Sequence, residues 1–527
     1  MTTDSAVCTR KDTLLIMMLV MAALAIRLYY LQFYDVVSAD GISYITIAKE
    51  FIRGNGYSAA NHYPPFYPIL VGLASLLFND FETAGLAVSI AMGSLVVVPV
   101  YLLGAEFFTK RIGFIASVLS MTWPTLRHWS IAVMSQATYI TLLLFGVYFL
   151  WKAYQKGSVR ATLAAGCCFG SAHLTRSEGV ITLLALTVVL ILVSLLNRYP
   201  ARRMLPVAAV WIVFFVVFSP YFYLMHELTG NWQLTGKSRI AIADALSEYL
   251  GKPDLKHDPS FGAMGYLDLI RQYPDYIRSN WLKNLLTCWN EMLPVYGWGV
   301  VAIGFVVGVR GRDNICRQAY LLATFAPLAF IVVFFFIGPE YTQPYLPVLF
   351  LWAGGGLLFL GDQVSRFLHP VISDPAQRVL WYLPVGLVLL FGLWIVVKDV
   401  PADRDKPYEY SRDGGRFDDK RIGLRLRTLL PADAKLITRS GRIGFYSDRK
   451  YIMPPQTDFA ELLSAARQSK IDYLVATFQL CSLRPQWEFL CTPLLEPERP
   501  FTPPPELELV HAGQEPGGLP YLLYRFR

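Results

Sequence analysis

The sequence is poor in charge and lacks the usual patterns for metal or nucleotide binding. Only 16% of its 527 residues are charged. Its seven cysteines include no C-x-x-C spacing, and the chain has no glycine-rich nucleotide loop, no internal repeat and no low-complexity tract. These absences disfavour a structural zinc protein, a nucleotide-dependent enzyme and a disordered chain.

Hydrophobic residues make up 54% of the chain, and the mean hydropathy is +0.40. They fall in runs of roughly 15 to 23 residues, the length that an α-helix needs to cross a bilayer. Almost all of these runs precede residue 398, whereas the chain from Pro401 onward is polar and rich in proline. The sequence therefore predicts a membrane domain over 1–398 and a soluble domain over 399–527.

The apolar runs predict an α-helical polytopic protein with about eleven spans. The expected spans are 13–34, 83–105, 112–126, 131–151, 160–174, 179–196, 204–225, 292–309, 317–337, 345–361 and 379–397. Lys110, Arg160 and Arg202 are among the basic residues in short loops on the side of the N-terminus. Basic loops face the cytoplasm, so the loops 35–82 and 226–291 and the C-terminal domain are expected on the outer face. This distribution also explains the net charge of +8 without nucleic-acid binding.

The C-terminal domain is expected to be a small α/β or α+β fold. Strand-like runs such as "DYLVAT" alternate with amphipathic helices such as "DFAELLSAARQ". Cys481 and Cys491 can pair if this domain lies in an oxidising compartment. The basic and aromatic segment 439–451 either faces an acceptor or forms a surface strand and turn.

One carboxylate stands out in the first outer loop, which reads "ADGISYITIAKE" from Ala39. Asp40 directly precedes an amphipathic helix and is suited by type and position to cap it. It also follows the first span at the membrane surface, where a base could reach a substrate held by a lipid. Asp35, five residues earlier, is a second acid candidate.

The first outer loop and the plan of spans resemble the GT-C membrane glycosyltransferases. The resemblance rests on the outer-loop residues and on two short motifs: Asp40, Tyr44, Ala48, Gly54, Gly56, Tyr57, "HYPPFYPIL" at 62–70 and "LTRSEGV" at 174–180. It is closest to the branch that includes lipid A aminoarabinose transferases, protein mannosyltransferases and bacterial lipopolysaccharide-core sugar transferases. Many relatives have a second acid where this chain has Gly41, and a basic residue where it has His62 and Tyr63.

The resemblance implies transfer of a sugar from a polyprenyl-phosphate donor to a glycolipid, glycan or protein acceptor. Asp40 would be the base that takes the acceptor proton, and a single displacement would invert the anomeric centre. No cofactor is expected, and a lone acid argues against a bound divalent metal, which prefers several oxygen ligands. The implied location is the bacterial inner membrane.

A lipid phosphate leaving group needs cations or donors to hold its charge. The basic candidates for the donor site are Arg176, Lys237, Arg239 and Arg27. Further candidates are Tyr44, Tyr63, His62, Glu178 and Gln343. Each has a plainer alternative: a solvated or snorkelling cation, a salt bridge across the 174–178 hairpin, or an interfacial aromatic residue.

A transporter or flippase for lipid-linked sugars is the alternative function. Transporters place polar groups at mid-membrane and commonly contain inverted repeats. In this chain the charges cluster near the outer surface beside long loops, which favours chemistry at the surface.

Overall fold

A computed structural model describes most of the chain. The described residues are 9–34, 36–57, 63–236, 246–247, 249–251, 266–309, 312–335, 337–368, 374–399, 416–455, 458–483, 485–496, 498–514 and 519–527. They group into two units: one contains residues 1–32 and 44–400, and the other contains residues 33–43 and 401–527. The second unit thus includes part of the first predicted outer loop.

Helices make up the first unit. In its first part they are α1 (Arg10–Leu31), α2 (Ala39–Ile52, which begins in the second unit), α3 (Phe66–Phe78), α4 (Phe81–Leu95), α5 (Val97–Phe107), α6 (Lys110–Thr122), α7 (Pro124–Ser130), α8 (Gln136–Lys156), α9 (Val159–His173), α10 (Gly179–Leu196) and α11 (Leu205–Thr229). The later ones are α12 (Tyr266–Gln272), α13 (Pro274–Met292), α14 (Val295–Gly308), α15 (Arg312–Ala323), α16 (Ala326–Phe334), α17 (Pro339–Thr342), α18 (Leu346–Leu368) and α19 (Asp374–Lys398).

Within the described ranges, six helices or continuous helix pairs are long and apolar enough to cross a membrane. The number rises to eight if two bent pairs, α13 with α14 and α15 with α16, each form one span. The predicted segments 112–126 and 160–174 correspond to α6 and α9, which are shorter helices of 13 and 15 residues. A multi-pass helical protein is therefore clear, while the count of eleven stays a prediction.

Local sequence signals explain several helix ends. The Thr109 hydroxyl accepts the Ile112 amide at the start of α6, and Gly157 ends α8 with a φ of +62°. Glycine also permits close packing of α5 on α6, since a Cβ on Gly104 would collide with the backbone of Gly113.

The second unit contains a five-stranded mixed sheet in the order β2-β1-β3-β5-β4. The strands are β1 (Lys435–Thr438), β2 (Lys450–Ile452), β3 (Tyr473–Thr477), β4 (Leu507–Gln514) and β5 (Pro520–Phe526). Its helices are α20 (Arg416–Leu429), α21 (Gly441–Ser447), α22 (Phe459–Ser469), α23 (Phe478–Leu483) and α24 (Thr492–Leu495). The expected small mixed domain is therefore present.

Both faces of this sheet are covered. Val475 and Leu523 pack in one core with Ile422 of α20, whereas Leu474 and Leu522 pack in another with Leu462 of α22. Alternate residues of β3 and β5 thus enter opposite cores, as the period of a strand requires.

Cys481 and Cys491 form a disulfide, with their Cα atoms 6.2 Å apart. The two residues that the sequence marked as a potential pair are therefore joined. The bond closes a loop around Trp487, whose side chain is fully buried.

Replacing both cysteines of this disulfide by serine should lower the free energy of unfolding of the second unit by about 2–4 kcal/mol, since the crosslink restricts the unfolded chain. Thermal unfolding of the purified protein measures the effect. The matched control is Cys167→Ser, which removes an exposed free thiol. Equal midpoints for the double variant and the control would contradict the expectation.

Candidate functional site

The turn between α9 and α10 contains a buried ion pair. Arg176 donates from Nε and Nη2 to the same oxygen, Oε1 of Glu178, at 3.1 and 2.8 Å. The Arg176 side chain is 8% exposed and that of Glu178 is 14% exposed. The salt bridge expected as the plainer alternative is thus present, but it lies in the protein interior rather than in solvent.

Aromatic rings surround the Arg176 guanidinium. Its central carbon lies 5.1 Å from the ring centre of Tyr341 and 5.9 Å from that of Tyr139. Burial opposes the charged form, but the Glu178 carboxylate and the nearby Tyr341 and Tyr44 outweigh it and raise the pKa of Arg176 above its ordinary value. The turn therefore holds a permanent cation, faced by π-systems that also attract it.

Tyr44 joins this region to the start of α3. Its hydroxyl lies 2.9 Å from Ser135 Oγ, and its ring packs edge-on against Tyr63 and Tyr67, with centres 5.0 and 5.1 Å away. The Phe66 amide donates to the Leu174 carbonyl at 2.8 Å. The two short motifs singled out at 62–70 and 174–180 are thus hydrogen-bonded to each other through the backbone.

Gln343 is the unusual polar residue of the region. It lies between Tyr341 and Tyr345, is 1% exposed, and neither of its amide atoms has a hydrogen-bond partner among the described residues. Gln136 Oε1 is also buried and unpartnered within the described ranges, on the helix α8 that packs against the 343–345 turn. Buried polar groups are almost always paired, so these amides mark a place suited to a polar ligand.

Asp40 lies inside the first turn of α2 and is half-buried. The expectation that it caps the helix is wrong. The Ser38 hydroxyl accepts the Gly41 amide at 2.9 Å, which is the capping contact, because the N-cap side chain bonds the third helical amide. Asp40 precedes Tyr44 by one turn, and residues four apart share a helix face.

Arg27 belongs to a separate cluster. Its side chain is fully buried, which rules out snorkelling to the interface, and its Nε donates to Ser130 Oγ at 2.8 Å while Nη1 donates to the Ala23 carbonyl at 3.1 Å. Arg127 lies nearby, stacked on Tyr30 and paired with Asp399. In the described part of the chain, Arg27 therefore makes no hydrogen bond to Arg176 or Glu178.

Four candidates from the sequence, Asp35, His62, Lys237 and Arg239, lie outside the described residues. Two functional-looking residues had not been singled out. Tyr341 lies two residues before Gln343, and Tyr139 lies one turn into α8. Their signal, a tyrosine near a span end, is too common to have identified them. Among the described residues, no group of three or more His, Cys, Asp or Glu side chains could hold a metal ion.

Comparison with known proteins gives a consistent assignment of the fold. Residues 62–224 match the family model described as dolichyl-phosphate-mannose-protein mannosyltransferase. No curated protein sequence matches the chain. A structure of ArnT from Cupriavidus metallidurans bound to undecaprenyl phosphate is similar over 97% of this chain and 98% of its own, with a TM-score of 0.56 and 14% identity.

The apo structure of the same ArnT gives a TM-score of 0.60 at 15% identity, over 98% of each chain. The chain therefore shares the fold of ArnT. The archaeal oligosaccharyltransferase AglB from Archaeoglobus fulgidus, in complex with an inhibitory peptide and a dolichol-phosphate, is also similar. Its TM-score is 0.55 at 15% identity, over 90% of this chain and 70% of AglB. The resemblance to the GT-C superfamily is thus confirmed.

Replacing Glu178 by Gln should lower the free energy of unfolding by about 3–5 kcal/mol, because it leaves the buried Arg176 cation without its counter-charge. Thermal unfolding in detergent measures the loss. In the control, Glu496→Gln removes a carboxylate from an exposed pair with Arg499 and should cost at most about 1 kcal/mol. Similar midpoints for the two variants would show that the Arg176–Glu178 pair is solvated.

Proposed function

We propose that this protein is a membrane glycosyltransferase that transfers a sugar from a polyprenyl-phosphate donor to a glycolipid, glycan or protein acceptor. The observation that carries the proposal is the buried Arg176 cation facing the Tyr341 ring, two residues before Gln343, whose amide has no partner among the described residues. The chain also shares the fold of ArnT. The neighbour ArnT binds undecaprenyl phosphate and the neighbour AglB binds a dolichol-phosphate, which supports a lipid-phosphate donor here.

Arg176 is the proposed ligand of the donor phosphate. The planar guanidinium carries five N–H donors, and Glu178 engages only Nε and Nη2, so Nη1 can meet a phosphate oxygen. Glu178 fixes the plane of the guanidinium and so reduces the entropy lost on binding. The Gln343 amide would hydrogen-bond the same head group, and Tyr44 and Tyr63 would contact the sugar or the lipid. His62, Lys237 and Arg239 remain further donor-site candidates.

Asp40 is the proposed base, and Asp35 remains the second candidate. The carboxylate takes the proton of the acceptor hydroxyl as its oxygen bonds the anomeric carbon and the bond from that carbon to the phosphate oxygen breaks. The electron pair leaves with the lipid phosphate. Because the displacement is single, it inverts the anomeric centre. Ser38 supplies the cap of α2, which leaves Asp40 out of that structural role.

The protein is proposed to lie in the bacterial inner membrane, with its N-terminus in the cytoplasm and its C-terminal domain on the outer face. The basic short loops support this orientation. The disulfide between Cys481 and Cys491 supports an oxidising compartment for the second unit.

Asp40→Asn should abolish sugar transfer and leave folding and donor binding intact, because the amide cannot accept the hydroxyl proton. The assay uses purified protein, radiolabelled polyprenyl-phosphate sugars and candidate acceptors. The matched control is Asp80→Asn, since Asp80 caps α4 by accepting the Thr83 amide, and asparagine caps equally well. Full activity of Asp40→Asn would refute the base. Labelled lipid that changes leaflets in vesicles without transfer would favour a flippase.

Gln343→Met should weaken donor binding about tenfold, equivalent to the loss of one hydrogen bond of about 1.4 kcal/mol, without lowering thermal stability. The reason is that no described partner in the protein loses a bond. The control is Gln318→Met, because buried Gln318 accepts from the Trp352 indole at 2.6 Å. The control should lose stability and keep its donor affinity. If Gln343→Met instead loses thermal stability and keeps its donor affinity, Gln343 does not belong to the donor site.

A further inference from the structure

We propose that two side chains of α21, in the second unit, position the proposed base Asp40. They do so by binding the backbone of Val37, three residues before it. The inference rests on the proposed function, because it assigns a role in turnover to residues that act through Asp40. The starting observation is that residues 33–43, which include Asp40, belong to the second unit together with residues 401–527. The two positioning residues are Arg442 and Tyr446.

Both polar groups of the Val37 backbone are bound by this one short helix. The Val37 amide donates to the Tyr446 hydroxyl at 2.9 Å, and Arg442 Nε donates to the Val37 carbonyl, also at 2.9 Å. Arg442 and Tyr446 are four residues apart, so they share a face of α21. Val37 is fully buried, so water does not replace either contact.

The helix α21 is itself fixed against α20. The Ser440 hydroxyl donates to the Asp419 carboxylate at 2.5 Å, and both residues are buried. Gly423 of α20 lies so close that a Cβ there would stand 2.7 Å from the Tyr446 Cβ. Lys420 lies over the Tyr446 ring, 5.1 Å from its centre. The contacts with Gly423 and Lys420 thus fix the position of the Tyr446 side chain against α20.

The path from Val37 to Asp40 is short. Ser38, the next residue, accepts the Gly41 amide with its hydroxyl and the Ile42 amide with its carbonyl at 3.0 Å. Fixing Val37 therefore fixes the cap of α2, and the cap fixes the first turn, which contains Asp40. A catalytic group displaced by about 1 Å can lose about a hundredfold in rate, so this anchoring matters for turnover.

The segment 439–451 was expected either to face an acceptor or to form a surface strand and turn. The structure instead gives α21 followed by β2, with Tyr446 only 7% exposed. One aromatic residue of the segment, Tyr446, and one basic residue, Arg442, are thus explained by their contacts with Val37.

The first test is Tyr446→Phe, compared with Tyr524→Phe. Tyr524 is the matched control, because its buried hydroxyl donates to the Leu490 carbonyl at 2.6 Å elsewhere in the same unit. We expect kcat of Tyr446→Phe to fall about 10- to 100-fold with the donor KM within about twofold of wild type. Hydrogen exchange at residues 36–42 should be faster in this variant. Tyr524→Phe should keep the wild-type kcat and the wild-type exchange at 36–42.

The second test separates the hydrogen bond of Arg442 from its charge. Arg442→Gln keeps an N–H group at the position of Nε, whereas Arg442→Met keeps the length and loses the donor. The glutamine variant should turn over at least several-fold faster than the methionine variant. Equal rates for the two variants, or an unchanged kcat in Tyr446→Phe, would overturn the positioning role.

The failure of the base and the failure of the positioning role give different results. If Asp40→Asn is inactive and Tyr446→Phe matches Tyr524→Phe, the base stands and the positioning role falls. If Asp40→Asn is fully active, the proposed base falls and the positioning role falls with it.

Discussion

The central constraint on the first unit is that a buried charge must be neutralised where it lies. The Arg176 guanidinium is placed in a turn of only a few residues between two long apolar helices, and the carboxylate that neutralises it is two residues away. This local pairing leaves Tyr139 and Tyr341 to cover the cation with their ring faces. The pair thus keeps a cation inside an apolar protein without using all of its hydrogen-bond donors.

Two further ion pairs of this unit follow the same rule. Asp12 pairs with Lys110 and also accepts from Tyr101, and Lys152 pairs with Glu106. Arg27 differs, since its described hydrogen bonds go to a hydroxyl and a carbonyl, which carry no counter-charge. Among the described residues, single buried polar atoms without a partner occur elsewhere, but Gln343 is the one side chain with two such atoms, which favours a ligand at this place.

The sequence predicted the features that depend on composition and local spacing. Run lengths predicted a multi-pass helical protein, and the spacing of Arg176 and Glu178 indicated their salt bridge. The reason is that both depend on neighbours along the chain. The bend of 92° between α13 and α14 lies where the predicted outer loop 226–291 meets the predicted span 292–309, but nothing in the local sequence gives its angle.

Contacts between distant segments were also beyond the sequence. Nothing near Val37 shows that Tyr446, some four hundred residues later, binds its amide. The sequence came closer to predicting the cap of α2, since serine and aspartate both cap helices well. Only the position of the first helical residue separates them, and helix ends are the least certain feature of a sequence-based prediction.

Because Ser38 caps α2, Asp40 is not needed for that structural role. One acid can then be enough for the proposed chemistry. Hydrolysis of a glycoside needs one carboxyl group to protonate the departing oxygen and another to activate the nucleophile. A phosphate leaves as an anion, so it needs a cation and not a proton, and Arg176 is the proposed cation. One carboxylate then remains necessary, for the acceptor proton. On this argument Gly41, which stands where many relatives have a second acid, removes nothing that a base-only role at Asp40 requires.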